Sequence, residues 1–582
     1  MFNWRNFPWT DFQDLNLDWI LRRIKEIKTE DLPALDDKID NVYNYIRENL
    51  PDIVQHLAGV IIDVTTVGAT GDGVTDDSAA INTALTMGSV LYFPAGTYCF
   101  KNVTADKPVY MFGDGDSSIL QPIRYSDLSN QYETMITFND SVYLDNMQLK
   151  PAAPVSSESG PTYYIKSAIK AERADHVHLS RLTIDRVYQA YHTGWANPVY
   201  VPFEEREGMA FTAHSCNEVC LEDCHVIDYA GEELIWICQD RETFANGSVK
   251  ICNCTFEKTS YGSGSVVGVL GGNILCTDNL INNFNACYDD PVTGAGTILN
   301  MLGANTIFND NCFYNCRGGN YVDFSEGFFT KSEHVKCSGN IFKGTMHSPI
   351  RCFSVSIDFS DNYIEAPQIL NILATSIPFV YHTAGGNITL TPYCADINTV
   401  FTDFDTYSVR NNKVVVNAPL YAISLSSYSS PFFTQFYAGG DWSFKKYVFI
   451  GNEVTYNSDA VPYGVIFINQ QAEELVVKDN MFNGAGLANP ELIYDGHTLR
   501  SVISGRVGVG ILIAQNNIID GSMYNSATAG ISLVTGSKDF RSGTDYNLTF
   551  NTGLGYVLDH SGVTSTLGGF HANYNDNLIA NS

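Results

Sequence analysis

The sequence predicts an all-β protein built as a right-handed parallel β-helix behind an N-terminal α-helical segment. From residue 60 onward the chain is rich in β-branched residues, Gly and Asn, with almost no helical periodicity. Stretches such as 265–275 and 507–519 are near-continuous apolar runs, which is typical of parallel strands buried on both faces. The right hand follows from the rule for parallel crossovers. An antiparallel β-sandwich is the weaker alternative.

A short motif, Asn followed two or three places on by an apolar residue, recurs along the chain and predicts the coil length. It is centred on Asn146, Asn253, Asn279, Asn311, Asn340, Asn362, Asn412, Asn452, Asn480 and Asn517. From Asn253 to Asn362 the differences in residue number are 26, 32, 29 and 22, and periods of this size are typical of solenoids. Each unit suits a coil of three short strands. We therefore expect the Asn side chains to stack at one turn and to hydrogen bond from rung to rung.

The same reasoning divides the chain into four parts. Residues 1–58 are predicted to be a helical segment for docking or oligomerisation, and 59–150 the first, capping module of the β-helix. Residues 151–525 are the body with loop insertions, and 526–582 are a C-terminal tip or final irregular coils.

Residues 1–58 combine a heptad-like apolar stripe with a dense aromatic cluster. So short a segment cannot bury that cluster alone, which predicts a docking surface; the alternative is that it folds back on the body. The docking residues predicted here are Phe7, Trp9, Phe12, Leu17 and Trp19.

Charge and cysteine usage exclude several classes of function. With 34 Lys+Arg against 64 Asp+Glu, the net charge of −30 argues against nucleic-acid binding and against an anionic membrane surface. No apolar run is long enough for a transmembrane helix, and the first 30 residues lack the apolar core of a secretory signal. Cys216, Cys220 and Cys224 are spaced poorly for zinc, so we expect the 14 Cys to be mostly buried, reduced thiols.

The segment 68–85, GATGDGVTDDSAAINTAL, is followed by LYFPAGTY. Thr75 is expected to cap a short helix there, with Asp76 and Asp77 in its first turn and Gly88 at its end. These residues resemble the first module of the pectate-lyase-like β-helix superfamily, which includes phage tailspikes and polysaccharide-degrading enzymes. The resemblance implies that Asp72, Asp76 and Asp77 hold a turn and a helix start instead of performing chemistry.

The opening NFPWTDFQDLNLDWILRRIKEI resembles the N-terminal segment of structural proteins from short-tailed phages of Gram-positive hosts. The resemblance implies a tail appendage that is assembled in the host cytoplasm, is carried on the virion and docks on other tail or connector proteins through residues 1–58. A homotrimer is implied as well. The Asn-Thr-Asp and Gly-His-Gly segments of polygalacturonase-type members are absent from the sequence, which argues against hydrolysis of pectin-like polymers.

Acidic residues at similar distances from the rung markers predict a carboxylate cluster on one face. Because adjacent rungs lie about 4.7–4.9 Å apart, acids one or two rungs apart meet the spacing that glycoside hydrolysis requires. The catalytic candidates are Glu233, Asp290, Asp323 and Glu326. Chance alignment of surface acids is the alternative interpretation.

Aromatic and basic residues near these acids predict a glycan-binding surface. The candidates are Trp195, Trp236, Tyr288, Tyr321 and Arg317. No cofactor is expected, although paired acids such as Asp289 and Asp290 are ligands of the type that Ca²⁺ uses. The function these observations favour is a phage tail receptor-binding protein that attaches the virion to host surface polysaccharide. Enzyme activity is left open, with a hydrolase favoured over a lyase; a free polysaccharide-degrading enzyme and a purely structural fibre are the alternatives.

Overall fold

A computed structural model describes the capping module and most strands of the body. The described residues are 61–123, 134–150, 167–185, 209–227, 233–238, 247–257, 265–270, 272–283, 297–302, 305–324, 334–352, 356–366, 380–384, 404–416, 432–436, 443–457, 466–468, 471–484, 493–494, 497–498, 501–505, 509–515, 517–520, 529–534, 546–550, 557–559, 570–574 and 579–580. The predicted N-terminal helical segment lies outside them. The chain divides into two units, Met1–Ile62 and Asp63–Ser582. Within the described residues, no helix is long and apolar enough to cross a membrane.

The strands stack in parallel into three faces, and a coil of the body passes from face 1 through face 2 to face 3. Face 1 contains Val103–Ala105, Ile136–Phe138, Ser167–Glu172, Met209–His214, Glu233–Cys238, Ser265–Leu270, Thr297–Leu302, Val380–Ala384, Phe432–Phe436, Ile466–Ile468, Ser501–Gly505, Ala529–Val534 and Val557–Asp559. Face 2 contains Val90–Phe93, His176–Ser180, Glu218–Glu222, Ser248–Cys252, Asn273–Thr277, Asn305–Asn309, His334–Ser338, Ser356–Ser360, Phe404–Arg410, Ser443–Ile450, Gln471–Lys478, Val509–Gln515, Tyr546–Phe550 and Phe570–Tyr574.

Face 3 contains Asp72–Asp76, Gly96–Phe100, Thr183–Asp185, His225–Ile227, Thr255–Glu257, Leu280–Asn282, Tyr363–Ala366, Lys413–Val416, Glu453–Tyr456, Met481–Gly484, Ile518–Asp520 and Ile579–Ala580. Four longer strands turn a corner: Val109–Pro122 and Val142–Leu149 run from face 2 to face 3, and Cys312–Phe324 and Ile341–Cys352 from face 3 to face 1. The remaining strands are Ile61–Asp63 and an antiparallel pair, Ile493–Tyr494 with His497–Thr498. The predicted right-handed parallel β-helix is confirmed.

Alternation along each strand places the core inside the coil. In Glu218–Glu222, Val219 and Leu221 are buried while Glu218 is exposed, and the paired Val249 and Ile251 of the next rung repeat the pattern. Successive side chains of a strand point to opposite sides of the sheet, so one set fills the interior and the other forms the outer surface. Because each rung stacks on a similar rung, buried apolar residues continue from rung to rung as far as Phe482.

The turn between faces 2 and 3 contains the asparagine ladder. The side-chain Nδ2 of each Asn donates to Oδ1 of the Asn on the following rung. The pairs are Asn279–Asn311 at 2.8 Å, Asn311–Asn340 at 3.0 Å, Asn340–Asn362 at 2.9 Å, Asn362–Asn412 at 2.9 Å, Asn412–Asn452 at 3.0 Å, Asn452–Asn480 at 2.9 Å and Asn480–Asn517 at 2.9 Å. The expected rung-to-rung bonding is therefore present from Asn279 to Asn517.

The prediction that Asn146 and Asn253 belong to this ladder is wrong, because each lies one residue before the ladder position. Both lie at the preceding turn position, where the backbone adopts positive φ values of 55° and 54°. The ladder position after Asn253 is occupied by Cys254, whose backbone N donates to Oδ1 of Asn279 at 2.9 Å. Asn is common at both positions for different reasons. At the ladder position its side-chain amide forms hydrogen bonds with the neighbouring rungs. At the preceding position a residue with a short polar side chain is tolerated in the left-handed conformation.

The turn residues with positive φ, one on each rung, also form a column along the β-helix. Its members, with φ between 50° and 70°, are Asn146, Arg181, Asp223, Asn253, Asp278, Asp310, Gly339, Asp361, Asn411, Gly451 and Asp479. A turn of only two residues, one left-handed and the next buried, connects the strand of face 2 to the strand of face 3. This constant two-residue turn is the reason that the sequence repeat is visible there.

The capping module begins with a 3-10 helix, Val64–Val67, and continues through the strand Asp72–Asp76 to the α-helix Ser78–Met87. Ile81 and Leu85 are buried on the inner side of this helix. Gly88 ends the helix as expected, its backbone N–H donating to the carbonyl of Ala84. The expected cap at Thr75 is wrong, because the helix starts later, with Asp77 at the N-cap position.

The acids of GDGVTDD hold turns, as the resemblance implied. The Asp72 carboxylate accepts from the backbone N of Val74 and of Thr75, at 2.9 and 2.7 Å, and from the Thr75 hydroxyl. These bonds lower the pKa of Asp72. Asp77 is 2% exposed and accepts from the backbone N of Thr70 at 2.6 Å and of Cys99 at 3.3 Å. The Thr75 hydroxyl is engaged with Asp72, which explains why it does not cap the helix.

Candidate functional site

Face 1 carries a column of register-matched residues that alternate with core positions. In its first strands Phe211, Ile235 and Val267 are fully buried, so the positions next to them belong to the opposite, outer side. The column runs Lys170, Thr212, Trp236, Gly268, Asn300, Asp323, Arg351, Tyr381, Phe433 and Phe467. It places one residue of each rung in a line along the axis of the β-helix.

Two residues predicted from the sequence belong to this column. Trp236 pairs with Gly268, Gly268 with Asn300, and Asn300 with Asp323, so Trp236 and Asp323 lie three rungs apart in one line. At about 4.8 Å per rung the two backbones are roughly 14 Å apart along the column. Gly268 contributes no side chain between them. The register thus places an aromatic and an acidic candidate in one line of backbone positions.

The carboxylate pairing predicted for catalysis is not brought together among the described residues. Glu233 begins its strand opposite Ser265, and the register partners of Asp323 are Asn300 and Arg351. Arg317 and Tyr321 lie in the same strand as Asp323, Cys312–Phe324, with Arg317 opposite Thr345. Trp195, Tyr288, Asp290 and Glu326 lie outside the described residues, as do Asp289 and the docking residues. The catalytic role of these acids stays a prediction.

The column also carries described polar side chains at its N-terminal end. The Lys170 ammonium lies 3.0 Å from the Glu172 carboxylate, and its hydrogen bond and charge lower the pKa of Glu172 against the effect of burial. Thr212, on the next rung, is 7% exposed. This end of the face 1 column therefore presents paired charges beside a buried hydroxyl.

Face 2 carries a second cluster, on the side away from the core, that local sequence motifs did not predict. His178 pairs with Cys220 and Cys220 with Lys250, while Glu222 pairs with Cys252. The Glu222 carboxylate lies 3.5 Å from Nε2 of His178 and 3.6 Å from the Lys250 ammonium. The Cys252 thiol lies 3.8 Å from the same carboxylate. We call these five residues the face 2 cluster.

Contacts within the face 2 cluster shift its acid–base properties. The hydrogen bond from His178, followed by the charge of Lys250, overcomes burial and lowers the pKa of Glu222 to about 2. The Cys220 thiol donates to Cys252, which raises the pKa of Cys220 and lowers that of Cys252. Glu222 is therefore a carboxylate near neutral pH, with a thiol pair and an imidazole beside it.

Next to this cluster, aromatic rings continue along the outer side of face 2. Phe112 stacks between Tyr92 and Tyr110, with ring centroids 5.2 and 5.3 Å apart, and Tyr143 contacts the ring of His178 at 5.7 Å. The Tyr110 hydroxyl donates to Asp145 at 2.9 Å, and Asp145 also accepts from Arg181. Because the stacked rings cover one another's faces, this row stiffens the first coils more than it offers ring faces to a ligand.

Comparison with known proteins supports the superfamily resemblance over the first module. The family model for rhamnogalacturonase A/epimerase, pectate lyase-like, matches residues 61–150. That stretch contains GDGVTDD, the helix Ser78–Met87 and the first coils. No curated protein matches the chain in sequence.

Several solved structures are similar to this chain at low identity. The A-module of mannuronan C-5 epimerase AlgE6 from Azotobacter vinelandii is 13% identical, with a TM-score of 0.40, over 79% of this chain and 99% of that one. PfbA, a surface adhesin of Streptococcus pneumoniae, is 12% identical with a TM-score of 0.39, over 82% and 90%. A family 28 exopolygalacturonase from Yersinia enterocolitica is 11% identical with a TM-score of 0.33, over 72% and 75%.

Proposed function

We propose that the protein is a phage tail appendage that binds a host surface polysaccharide along face 1 and so attaches the virion to the cell. The observation that carries the proposal is the face 1 column, in which the backbone register lines up one residue per rung from Lys170 to Phe467. A regular row of sites along a rod suits a regular linear polymer better than a compact small molecule.

The residue types of the column suit a glycan. Lys170, Asn300 and Arg351 are hydrogen-bond donors of the kind that sugar hydroxyls accept, Asp323 is an acceptor, and Trp236 is an aromatic ring. The family model matched by residues 61–150 is named for enzymes that act on polysaccharides, which supports a polysaccharide as the ligand.

The net charge of −30 bears on which glycan is bound. A polyanionic polymer would be repelled over most of the surface, so a neutral or zwitterionic polysaccharide is favoured. The excess negative charge also keeps long rods from adhering to one another.

Binding is tested with full-length protein and purified host envelope polysaccharide. The variant Trp236→Ala should weaken binding at least tenfold, while Tyr363→Ala, an aromatic substitution on face 3, should leave it unchanged. Circular dichroism of both variants checks that the coil is intact. Equal affinities of the two variants and the wild type would remove face 1 as the binding surface.

Cleavage is tested separately, because the family match names enzymes while the sequence lacks the polygalacturonase segments. Incubation with the same polysaccharide should be followed by the chain-length profile of the polymer, for the wild type and for Asp323→Asn. Shortening by the wild type that the variant abolishes supports a depolymerase that uses Asp323. An unchanged profile with retained binding leaves an attachment protein without depolymerase activity.

The virion role is tested through the aromatic residues of 1–58. Full-length protein with Trp9→Ala and Trp19→Ala should keep glycan binding but fail to join virions in a complementation assay, because the predicted docking surface loses two large apolar contacts. The face 3 variant Tyr363→Ala serves as the control for incorporation. Normal incorporation of the double variant would contradict docking through these residues. Mass measurement in solution tests the homotrimer that the sequence resemblance implies.

A further inference from the structure

The face 2 cluster brings together three atoms of the kinds that hold soft or borderline metal ions, and the thiol of Cys252 lies beside them. One ligand atom each of His178, Cys220 and Glu222 lies within 4.8 Å of the other two. The Cys252 thiol lies 3.8 Å from the Glu222 carboxylate. Imidazole, carboxylate and two thiols are the donor set of a zinc site, whereas Ca²⁺ and Mg²⁺ take oxygen ligands.

We propose that His178, Cys220, Glu222 and Cys252 form a binding site for a thiophilic divalent cation, for which Zn²⁺ is the best fit. Tetrahedral Zn²⁺ with bonds of about 2.0–2.3 Å holds its ligand atoms roughly 3.3–3.8 Å apart. The separation of 3.5 Å between Nε2 of His178 and Oε2 of Glu222 already lies in that range. The Cys252 thiol lies 3.8 Å from the other carboxylate oxygen, Oε1, so it would join the shell by a side-chain rotation.

The backbone register is what places these ligands. His178 lies on the strand His176–Ser180, Cys220 and Glu222 on the next rung, and Cys252 on the rung after that. Cys220 and Glu222 are two residues apart, on the same side of their strand, as alternation requires. The cation would therefore link three successive rungs.

Charge also fits a divalent cation. Binding releases the thiol protons of Cys220 and Cys252 to solvent, because the thiolate is the ligating form. Two thiolates and the Glu222 carboxylate carry three negative charges, which the cation and the Lys250 ammonium, 3.6 Å from Glu222, neutralise together. Burial of His178, which is 7% exposed, and of Cys252, at 6%, shields the site from water.

The test uses full-length protein, reduced and freed of metal with a chelator, then titrated with Co²⁺. We expect one equivalent to produce thiolate-to-cobalt absorption, which Zn²⁺ then displaces, and we expect Zn²⁺ to raise the thermal unfolding midpoint. Cys220→Ser and Cys252→Ser should each reduce the thiolate-to-cobalt absorption and weaken Co²⁺ binding at least tenfold. Cys312→Ser, at a half-exposed thiol of face 3 outside the cluster, should leave both unchanged.

A second variant keeps the test informative if Cys220→Ser fails to fold. His178→Gln retains a hydrogen-bonding side chain, so it should fold, keep the thiolate absorption and bind Co²⁺ at least tenfold more weakly. The proposal is overturned if the wild type gives no thiolate-to-cobalt absorption, or if Cys220→Ser and His178→Gln bind Co²⁺ as the wild type does. A Cys220–Cys252 disulfide that, once reduced, still gives no cobalt absorption would assign the pair to redox chemistry instead.

Discussion

Asn340 and Asn362 lie 22 residues apart in the chain, and the Nδ2 of Asn340 donates to Oδ1 of Asn362 at 2.9 Å inside the protein. The same oxygen accepts from the backbone N of Asn340, at 2.9 Å. The Asn340 amide also donates to the carbonyl of Phe308 on the preceding rung, at 2.9 Å. One side chain thus satisfies the polar groups of three rungs at a turn where it is fully buried.

Substitution Asn340→Ala should strongly destabilise the β-helix. It removes the side-chain donor to the Phe308 carbonyl and the side-chain acceptor of the Asn311 backbone N, and each buried, unsatisfied polar group costs about 1–3 kcal/mol. We expect a loss of about 3 kcal/mol or more, seen as a lower midpoint of unfolding by denaturant. Asn253→Gly is the matched control: it removes an exposed amide at the left-handed turn position, and it should change stability by less than about 1 kcal/mol. Equal losses in the two variants would contradict the distinction between the two turn positions.

The sequence predicted the coil because this turn has a fixed length, and the ladder residue Asn340 must be Asn to satisfy so many groups. It misplaced Asn253 because the left-handed position one residue earlier also favours Asn, and a motif without register cannot distinguish the two. The cap expected at Thr75 failed for a similar reason: its hydroxyl is engaged by Asp72, three residues away, in a turn that local propensity does not describe.

The candidate sites were less predictable, because their members are brought together by register between strands with variable connections. The connection after Thr255–Glu257 and the one after Leu280–Asn282 differ in length, so counting from the turn could not align Trp236 with Asp323. The face 2 cluster has no local signature either. Its residues come from three rungs, and only the pairings His178–Cys220 and Glu222–Cys252 reveal it.

Gly339 fills the left-handed turn position immediately before Asn340, with φ of 70°. A Cβ there would collide with the side chain of Asp310 on the preceding rung. Gly339→Ala should therefore lower the thermal unfolding midpoint, by strain of about 1–2 kcal/mol plus the displacement of Asp310. Asp361→Gly, at the same position one rung later, should be nearly neutral. A Gly339→Ala variant as stable as the wild type would show that the turn can relax.

Asp77 should matter more for stability than its neighbour Asp76. The buried Asp77 carboxylate accepts from the backbone N of Thr70 and Cys99, whereas Asp76 accepts from the backbone N of Ser78 at an exposed position. Asp77→Asn removes the charge from these bonds and turns one acceptor into a donor, which should cost about 2 kcal/mol. Asp76→Asn should cost less than about 1 kcal/mol, by the same denaturant measurement. A larger loss of stability for Asp76→Asn than for Asp77→Asn would show that Asp76 is the more important support of this turn.

Tyr98 should make the capping module sensitive to alkaline pH. Its side chain is 1% exposed, its hydroxyl donates to the carbonyl of Pro94 at 2.9 Å, and burial, followed by the charges of Asp63 and Asp77, raises its pKa to about 12. The ordinary value is 10.0, so between pH 10 and 12 the unfolded chain loses this proton while the folded protein retains it. The stability contributed by the neutral hydroxyl is complete below pH 10 and is lost as the pH rises through the folded value. Denaturant midpoints measured over this range should fall more steeply for the wild type than for Tyr98→Phe, since only the wild type has this group to titrate. Parallel profiles for the two proteins would show that Tyr98 is not the group responsible.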